Sequence, residues 1–175
     1  MPECPVEQQE AASAFYAELD VDVSYYPAIW HTFKVGHLLA TDLDRICQHH
    51  KLSIADVHLL GAMRIDRPRQ LRATDLAQTL HVSNAVLSTR ITKLEGKGLL
   101  MRIPSTSDRR AFDLKLTAKG VATTDAAIAE IGRHASFVRC FRRLSEQDRS
   151  ALARIMGELH NQLDRDFVST RRGKI

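Results

Sequence analysis

Residues 73–116 read ATDLAQTLHVSNAVLSTRITKLEGKGLLMRIPSTSDRRAFDLKL. Ala73 to Leu80 places Leu76, Ala77 and Leu80 on one helical face, and His81-Val82 makes a tight turn. Ser83 is an N-cap, and the helix it opens carries Leu87, Ile91 and Leu94 as its inner stripe before Gly96 and Gly98 end it. A short helix, a tight turn and a second helix with a polar outer face is the helix-turn-helix pattern. Two strands follow, Leu99 to Pro104 and Ala111 to Leu116. The second alternates, with Phe112, Leu114 and Leu116 on one face and Asp113 and Lys115 on the other. The polar turn between them, Ser105 to Arg110, ends in adjacent arginines. A hairpin placed directly after such a helix pair is a wing.

Outward from this stretch the chain is helical. Gln8 to Leu19 forms a short helix with Phe15, Tyr16 and Leu19 on one side, and Tyr25-Tyr26-Pro27 marks a break. Ala28 to His50 repeats Ile29, Trp30, Phe33, Leu38, Leu39, Leu43 and Ile46 at helical spacing. Ser53 caps a helix over Ile54 to Met63, which Arg67-Pro68-Arg69 ends. Thr117 caps a long helix, Ala118 to about Phe141. Ser145 with Asp148 opens a last helix, exposing Leu152, Ile155, Met156, Leu159 and Leu163 at i, i+3/i+4 spacing. The fold class is mainly α with a small β-wing. Residues 1–50 are read as an N-terminal extension and dimerisation helix, 51–117 as the winged helix-turn-helix, and 118–175 as C-terminal dimerisation helices. These outer helices carry more apolar surface than one small winged domain covers, which suggests a homodimer suited to a palindromic site.

Charge supports the same assignment. Between Ser83 and Leu116 seven basic residues face three acidic ones, so this stretch holds the chain's whole net charge of +4 and the remainder is balanced at 18 against 18. A local cationic patch on a neutral body is the footprint of a nucleic-acid binder. A winged helix that served only as a protein-binding module, the alternative of another class, would not concentrate its charge there. No run of about 18 apolar residues is present and Met1 to Glu10 is polar and acidic, so neither a membrane span nor a secretory signal is expected, and the chain is read as cytoplasmic. There is no nucleophile elbow, phosphate loop or HExxH, so no enzyme and no cofactor is expected.

The chain resembles the MarR family of transcriptional regulators over roughly Ala28 to Leu163. The resemblance is carried by Asp75-Leu76-Ala77, Leu80-His81-Val82-Ser83, Lys93 to Leu100, Ser107-Asp108-Arg109-Arg110 and Leu116-Thr117-Ala118-Lys119-Gly120. It implies a triangular homodimer with interlocked terminal helices and a repressor, or less often an activator, released from DNA by a small ligand or by oxidation. Arg72 stands where the family usually has a capping Thr, and Thr89 replaces a common recognition-helix arginine.

In this scheme Asn84, Ser88, Thr89 and Lys93 face the major groove, and Ser83 at the helix N-terminus suits a phosphate. Arg109 or Arg110 probes the minor groove, while Asp108 pairs with a neighbouring arginine and orders the wing. Arg90 lies three residues after Leu87 and four before Leu94, so it points partly inward and requires an anionic partner. Asp56 is the candidate, with Arg102 nearby. Asp56, Arg90 and Arg102 resemble the acid-plus-two-arginines set of the urate-responsive subfamily, whose N-terminal-helix tryptophan is replaced here by Phe15 or Tyr16, with Trp30 further along. The likeness implies a small anionic or aromatic effector; a structural ion pair between lobe and core is the other reading. A thiol-based switch at Cys47 is a further alternative, set against its place on the apolar stripe beside Ile46. The eight histidines do not form an HxxxH pair with a third ligand, so no metal site is expected.

Overall fold

The computed structural model describes residues 4–19, 22–65, 73–105 and 112–172. Within them lie α1 (Pro5–Ala17), α2 (Tyr26–Gln48), α3 (Ile54–Ile65), α4 (Ala73–Thr79) and α5 (Asn84–Gly96). These are followed by β1 (Leu100–Pro104), β2 (Phe112–Leu116), α6 (Ala118–His134), α7 (Ser136–Phe141) and α8 (Glu146–Arg172). The chain divides into two compact units, Met1–Arg133 and His134–Ile175. Among the described residues no helix is long and apolar enough to cross a membrane.

The first unit is built round α3, α4 and α5. Leu59, Leu60, Leu76, Leu87 and Leu94 are buried together, with Leu114 and Leu116 of the wing and Ile131 of α6 packed against them. Truncating one such leucine to Ala would cost about 2–5 kcal/mol. The turn between α4 and α5 passes through His81 at φ 51°, the left-handed region that favours glycine. Ser83 then caps α5, its hydroxyl accepting from the Val86 N–H at 3.3 Å. The α2 helix begins at Tyr26 with Pro27 in its first turn. The break expected at Tyr25-Tyr26-Pro27 is therefore a helix start, because proline in the first turn forfeits no intrahelical bond.

β1 and β2 pair antiparallel from Leu100–Leu116 to Pro104–Phe112. Two positions depart from the alternation read in the sequence, since Phe112 is 59% exposed and Asp113 is buried opposite Ile103. Leu114 and Leu116 still reach the core. Phe112 pairs with Pro104 at the end of the ladder away from Thr117.

The base of the wing is locked to the start of α6. Thr117 Oγ1 donates to the Gly98 carbonyl at 2.7 Å and accepts from the Gly120 N–H at 2.9 Å, capping α6. The Thr117 N–H donates to the Leu99 carbonyl at 3.1 Å, and Lys119 Nζ donates to the Lys97 carbonyl at 2.8 Å. Gly98, at φ 68°, makes the turn out of α5. Gly120 packs so closely that a Cβ there would lie 1.8 Å from the Leu99 carbonyl oxygen.

The second unit holds α7 and α8. The sequence predicts a single helix from Ala118 to about Phe141; in the structure α6 ends at His134 and Ala135 takes ψ 132° before α7 begins. Neither a proline nor a capping side chain marks the break, although Gly132 lowers the helix propensity just before it. α8 opens at Ser145, whose hydroxyl accepts from the Asp148 N–H at 3.1 Å and donates to its carboxylate at 2.6 Å. Ile155, Met156, Leu159 and Leu163 stand exposed along it.

Because the Leu99 backbone cannot retreat without breaking the Thr117 bonds, Gly120→Ala is expected to destabilise the first unit by roughly 3 kcal/mol, the upper end for overpacking. Urea unfolding checks this.

Candidate nucleic-acid interface

α5 owes its two-sidedness to the spacing of Leu87, Ile91 and Leu94, all buried. That burial turns Ser83, Asn84, Ser88, Thr89 and Thr92 outward, and all are exposed. The Thr89 hydroxyl donates to the Ala85 carbonyl at 3.1 Å, leaving its oxygen lone pairs outward for donors. Arg109, Arg110 and Asp108, assigned above to the wing tip, lie outside the described residues.

Beneath α5 sits a buried carboxylate. Asp56 on α3 is 1% exposed. Its Oδ2 accepts from the Ser53 N–H at 3.0 Å and from Lys93 Nζ at 2.9 Å, while Arg90 Nε stands 3.8 Å from Oδ1. The Asp56 N–H in turn donates to Ser53 Oγ at 3.1 Å, completing a capping box at the start of α3. Asp44 of α2 adds a bond from the Ile54 N–H at 2.8 Å. Burial pushes the Asp56 carboxyl upward; the Ser53 N–H, the Lys93 ammonium and the Ser53 hydroxyl outweigh it and hold the carboxyl below its usual range.

The structure thus brings Arg90 and Asp56 together but separates Arg102 from them. Arg102 Nη1 pairs with Glu95 Oε2 at 3.0 Å and Nη2 donates to Thr92 Oγ1 at 3.1 Å, both on α5. Lys93, grouped above with the DNA-facing residues, turns its ammonium to Asp56 while about half the side chain (51%) stays exposed. A buried anion attracts the cations that can reach it, and Lys93, three residues past Arg90 and so on a neighbouring part of the same helix face, comes within hydrogen-bond distance of it. The capping-box spacing Ser53-x-x-Asp56 was readable as a signal for this carboxylate; nothing in the local sequence marked Glu95 or Thr92 as partners of Arg102.

The aromatic candidates lie elsewhere in the first unit. Phe15, Tyr16, Tyr26 and Trp30 form a run with successive ring centroids 5.5, 5.2 and 5.9 Å apart, and Lys34 Nζ lies 5.0 Å over Trp30. Trp30 is 14 residues before Asp44, about 21 Å along a helix rising 1.5 Å per residue, so one protomer does not bring this run to Asp56. At the other end of α2, Glu130 of α6 meets His49 Nδ1 at 2.6 Å and His50 Nε2 at 2.7 Å, contacts that hold its carboxyl below the usual range.

Cys47 is fully buried, and burial, followed by the charges of Asp44, Asp56 and Glu130, pushes its thiol up to about 11. A thiol so raised is almost entirely protonated near neutrality and is a poor nucleophile. Cys4 and Cys140 are exposed. Among the described residues no group of three or more His, Cys, Asp or Glu is placed to hold a metal ion.

A helix pair joined by a tight turn, an outward polar face and a hairpin pinned behind it define a winged helix-turn-helix. Residues 52–112 match the model of the MarR family. The chain is 27% identical over 146 residues to the HTH-type transcriptional regulator PecS of Dickeya dadantii, covering 82% of this chain and 86% of that one. Its structure resembles AbsC, a MarR family transcriptional regulator from Streptomyces coelicolor, with a TM-score of 0.68 and 26% identity over 82% of this chain and 97% of that one. The transcriptional repressor CouR, solved bound to a 23-mer DNA duplex, shares the fold with a TM-score of 0.69 at 22% identity, covering 80% and 98% of the two chains.

Two outcomes follow. The Asp56 carboxyl titrates lower in the folded than in the unfolded chain, so its stabilising contribution is complete above about pH 4 and fades as pH falls through the folded value. Asp56→Asn should therefore cost about 2 kcal/mol at neutral pH, with the gap to the parent closing below about pH 4; thermal melts across pH read this. Alkylation of the native protein at pH 8, mapped by mass spectrometry, should label Cys4 and Cys140 and spare Cys47.

Proposed function

We propose that this chain is a ligand-responsive transcriptional regulator, acting as a repressor, that binds a palindromic DNA operator as a homodimer in the cytoplasm. The observation that carries this is the outward polar face of α5, set over its buried stripe and followed by the wing, in the stretch that holds the chain's net charge. Asn84 reads adenine bidentately, Ser88 and Thr89 serve either base type, and Ser83 with the free N–H groups of the α5 N-terminus takes a phosphate. Arg109 and Arg110 enter the minor groove. The relatives support this direction, CouR being a repressor solved on duplex DNA.

The second copy is supported by apolar side chains left in water. On α2, Ile29, Phe33 and Leu38 are 58%, 72% and 67% exposed, and α8 shows its own stripe. Exposure of this extent is the mark of an interface. Pairing of two chains gives two recognition helices related by a twofold axis, which is what a palindrome requires.

The effector is a small anion, aromatic in part, acting at Asp56. An anion that draws Lys93 and Arg90 away from Asp56 removes the charge holding α5 to α3. It releases DNA only by binding more tightly to the lobe arrangement that cannot bind DNA. Phe15, Tyr16 and Trp30 reach such a site only from a second copy. The buried state of Cys47 weighs against the thiol-switch alternative.

Selection of protein-bound fragments from random duplex DNA should recover an inverted repeat, and Asn84→Ala should relax one position in each half-site. Arg109→Ala and Arg110→Ala should weaken binding and reduce the salt slope by about one for each phosphate no longer neutralised. Phe33→Glu combined with Leu38→Glu should halve the mass in solution and abolish operator binding. Aromatic carboxylates and phenols titrated onto the complex should release the DNA. A selection that recovers nothing, or a wild-type monomer, overturns the proposal.

A further inference from the structure

We propose that Glu95, Thr92 and Arg102 form a clamp that aims the wing relative to the recognition helix, so that Arg102 serves DNA binding as a positioning residue and not as a phosphate ligand. This rests on the DNA-binding function proposed above. One carboxylate of α5 holds β1 twice: Glu95 Oε2 takes the guanidinium of Arg102 at 3.0 Å, and Glu95 Oε1 accepts from the Arg102 backbone N–H at 3.3 Å. The wing's main chain is therefore held, not only a side chain. The second arm of the guanidinium reaches Thr92 Oγ1 at 3.1 Å, one turn earlier on the same helix. A planar fork with several fixed donors suits this two-point side-chain hold better than a single ammonium would.

The lever explains why this matters. The hairpin leaves α5 at Gly98 and Leu99, where Thr117 holds it. A ribbon fixed only there can pivot. Arg102 adds a second fixed point three residues beyond Leu99, about 10 Å along a strand. With two points fixed, the direction of the hairpin follows that of α5. The base of the wing then moves with the recognition helix.

The charges give the clamp a signature. Glu95 is an anion on the helix that meets phosphates, and Arg102 neutralises it. If Arg102 bound phosphate directly, removing the Glu95 charge would free the guanidinium and lift a repulsion, so DNA would bind more tightly. The clamp requires the reverse.

The test uses the full-length protein and the DNA site recovered by the selection above, with mixed-sequence duplex of equal length as the reference. Glu95→Gln, nearly isosteric, should weaken binding to the selected site about fivefold while changing affinity for the mixed duplex by less than about twofold, since charged hydrogen bonds disappear but no cation is removed. Arg102→Ala should do the same or more, Arg102→Lys should recover part of the loss, and the double variant should be no weaker than Arg102→Ala alone. Thermal melts identify any variant that loses its fold, and Glu95→Gln carries the test in that case. Glu95→Gln binding the selected site as tightly as the parent, or more tightly, overturns the clamp and leaves the DNA-binding function standing. If the parent binds no duplex, that function falls instead. The clamp is then read from hydrogen exchange, where the Arg102 amide should exchange at least tenfold faster in Glu95→Gln; an unchanged rate overturns it.

Discussion

The winged module depends on one carboxylate removed from water. Asp56 closes the capping box at the start of α3 and at the same time holds Lys93 and stands beside Arg90 on α5. A buried anion tolerates neither role alone, because each lone pair left without a donor costs about 1–3 kcal/mol. The orientation of α5 is thus fixed by charge satisfaction as well as by Leu87, Ile91 and Leu94. Apolar packing would allow α5 to slide or roll by a fraction of a turn; the carboxylate restricts both.

The same helix is held from its other side. Glu95 and Thr92 grip Arg102, and the Gly98–Leu99 turn is tied to Thr117 and Gly120. α3, α5, the wing and α6 therefore share a continuous set of polar contacts around the core. Polar contacts of this kind are directional, so they specify geometry where leucines supply mainly cohesion.

What the sequence disclosed was what short-range rules govern. The helix pair, the turn at His81, the caps at Ser53, Ser83, Thr117 and Ser145 and the hairpin all follow from spacing and capping chemistry within a few residues. Arg90 was readable as inward-facing because its neighbours at minus three and plus four are buried leucines. Pairings across distant segments were not readable. Lys93 sits as close to the stripe as Arg90, and only the position of α3 decides that it meets Asp56. Arg102 was placed beside Asp56 by the sequence, and the path of β1 gives it to Glu95 instead. The exposure of Phe112 and the burial of Asp113 depend on what surrounds the end of the ladder, which alternation does not encode. The break at Ala135 has no residue signal beyond Gly132, so periodicity ran through it.

The wing's anchorage has a consequence for how such a protein diversifies. Leu100 and Leu116 begin the ladder beside the Thr117 knot, Pro104 and Phe112 close it, and seven residues lie between those last two. The contacts described above as holding the wing are made by residues outside these seven. The length of chain between the strands can thus be changed by evolution, or by an engineer, while the heading of the hairpin's base is inherited through contacts made elsewhere.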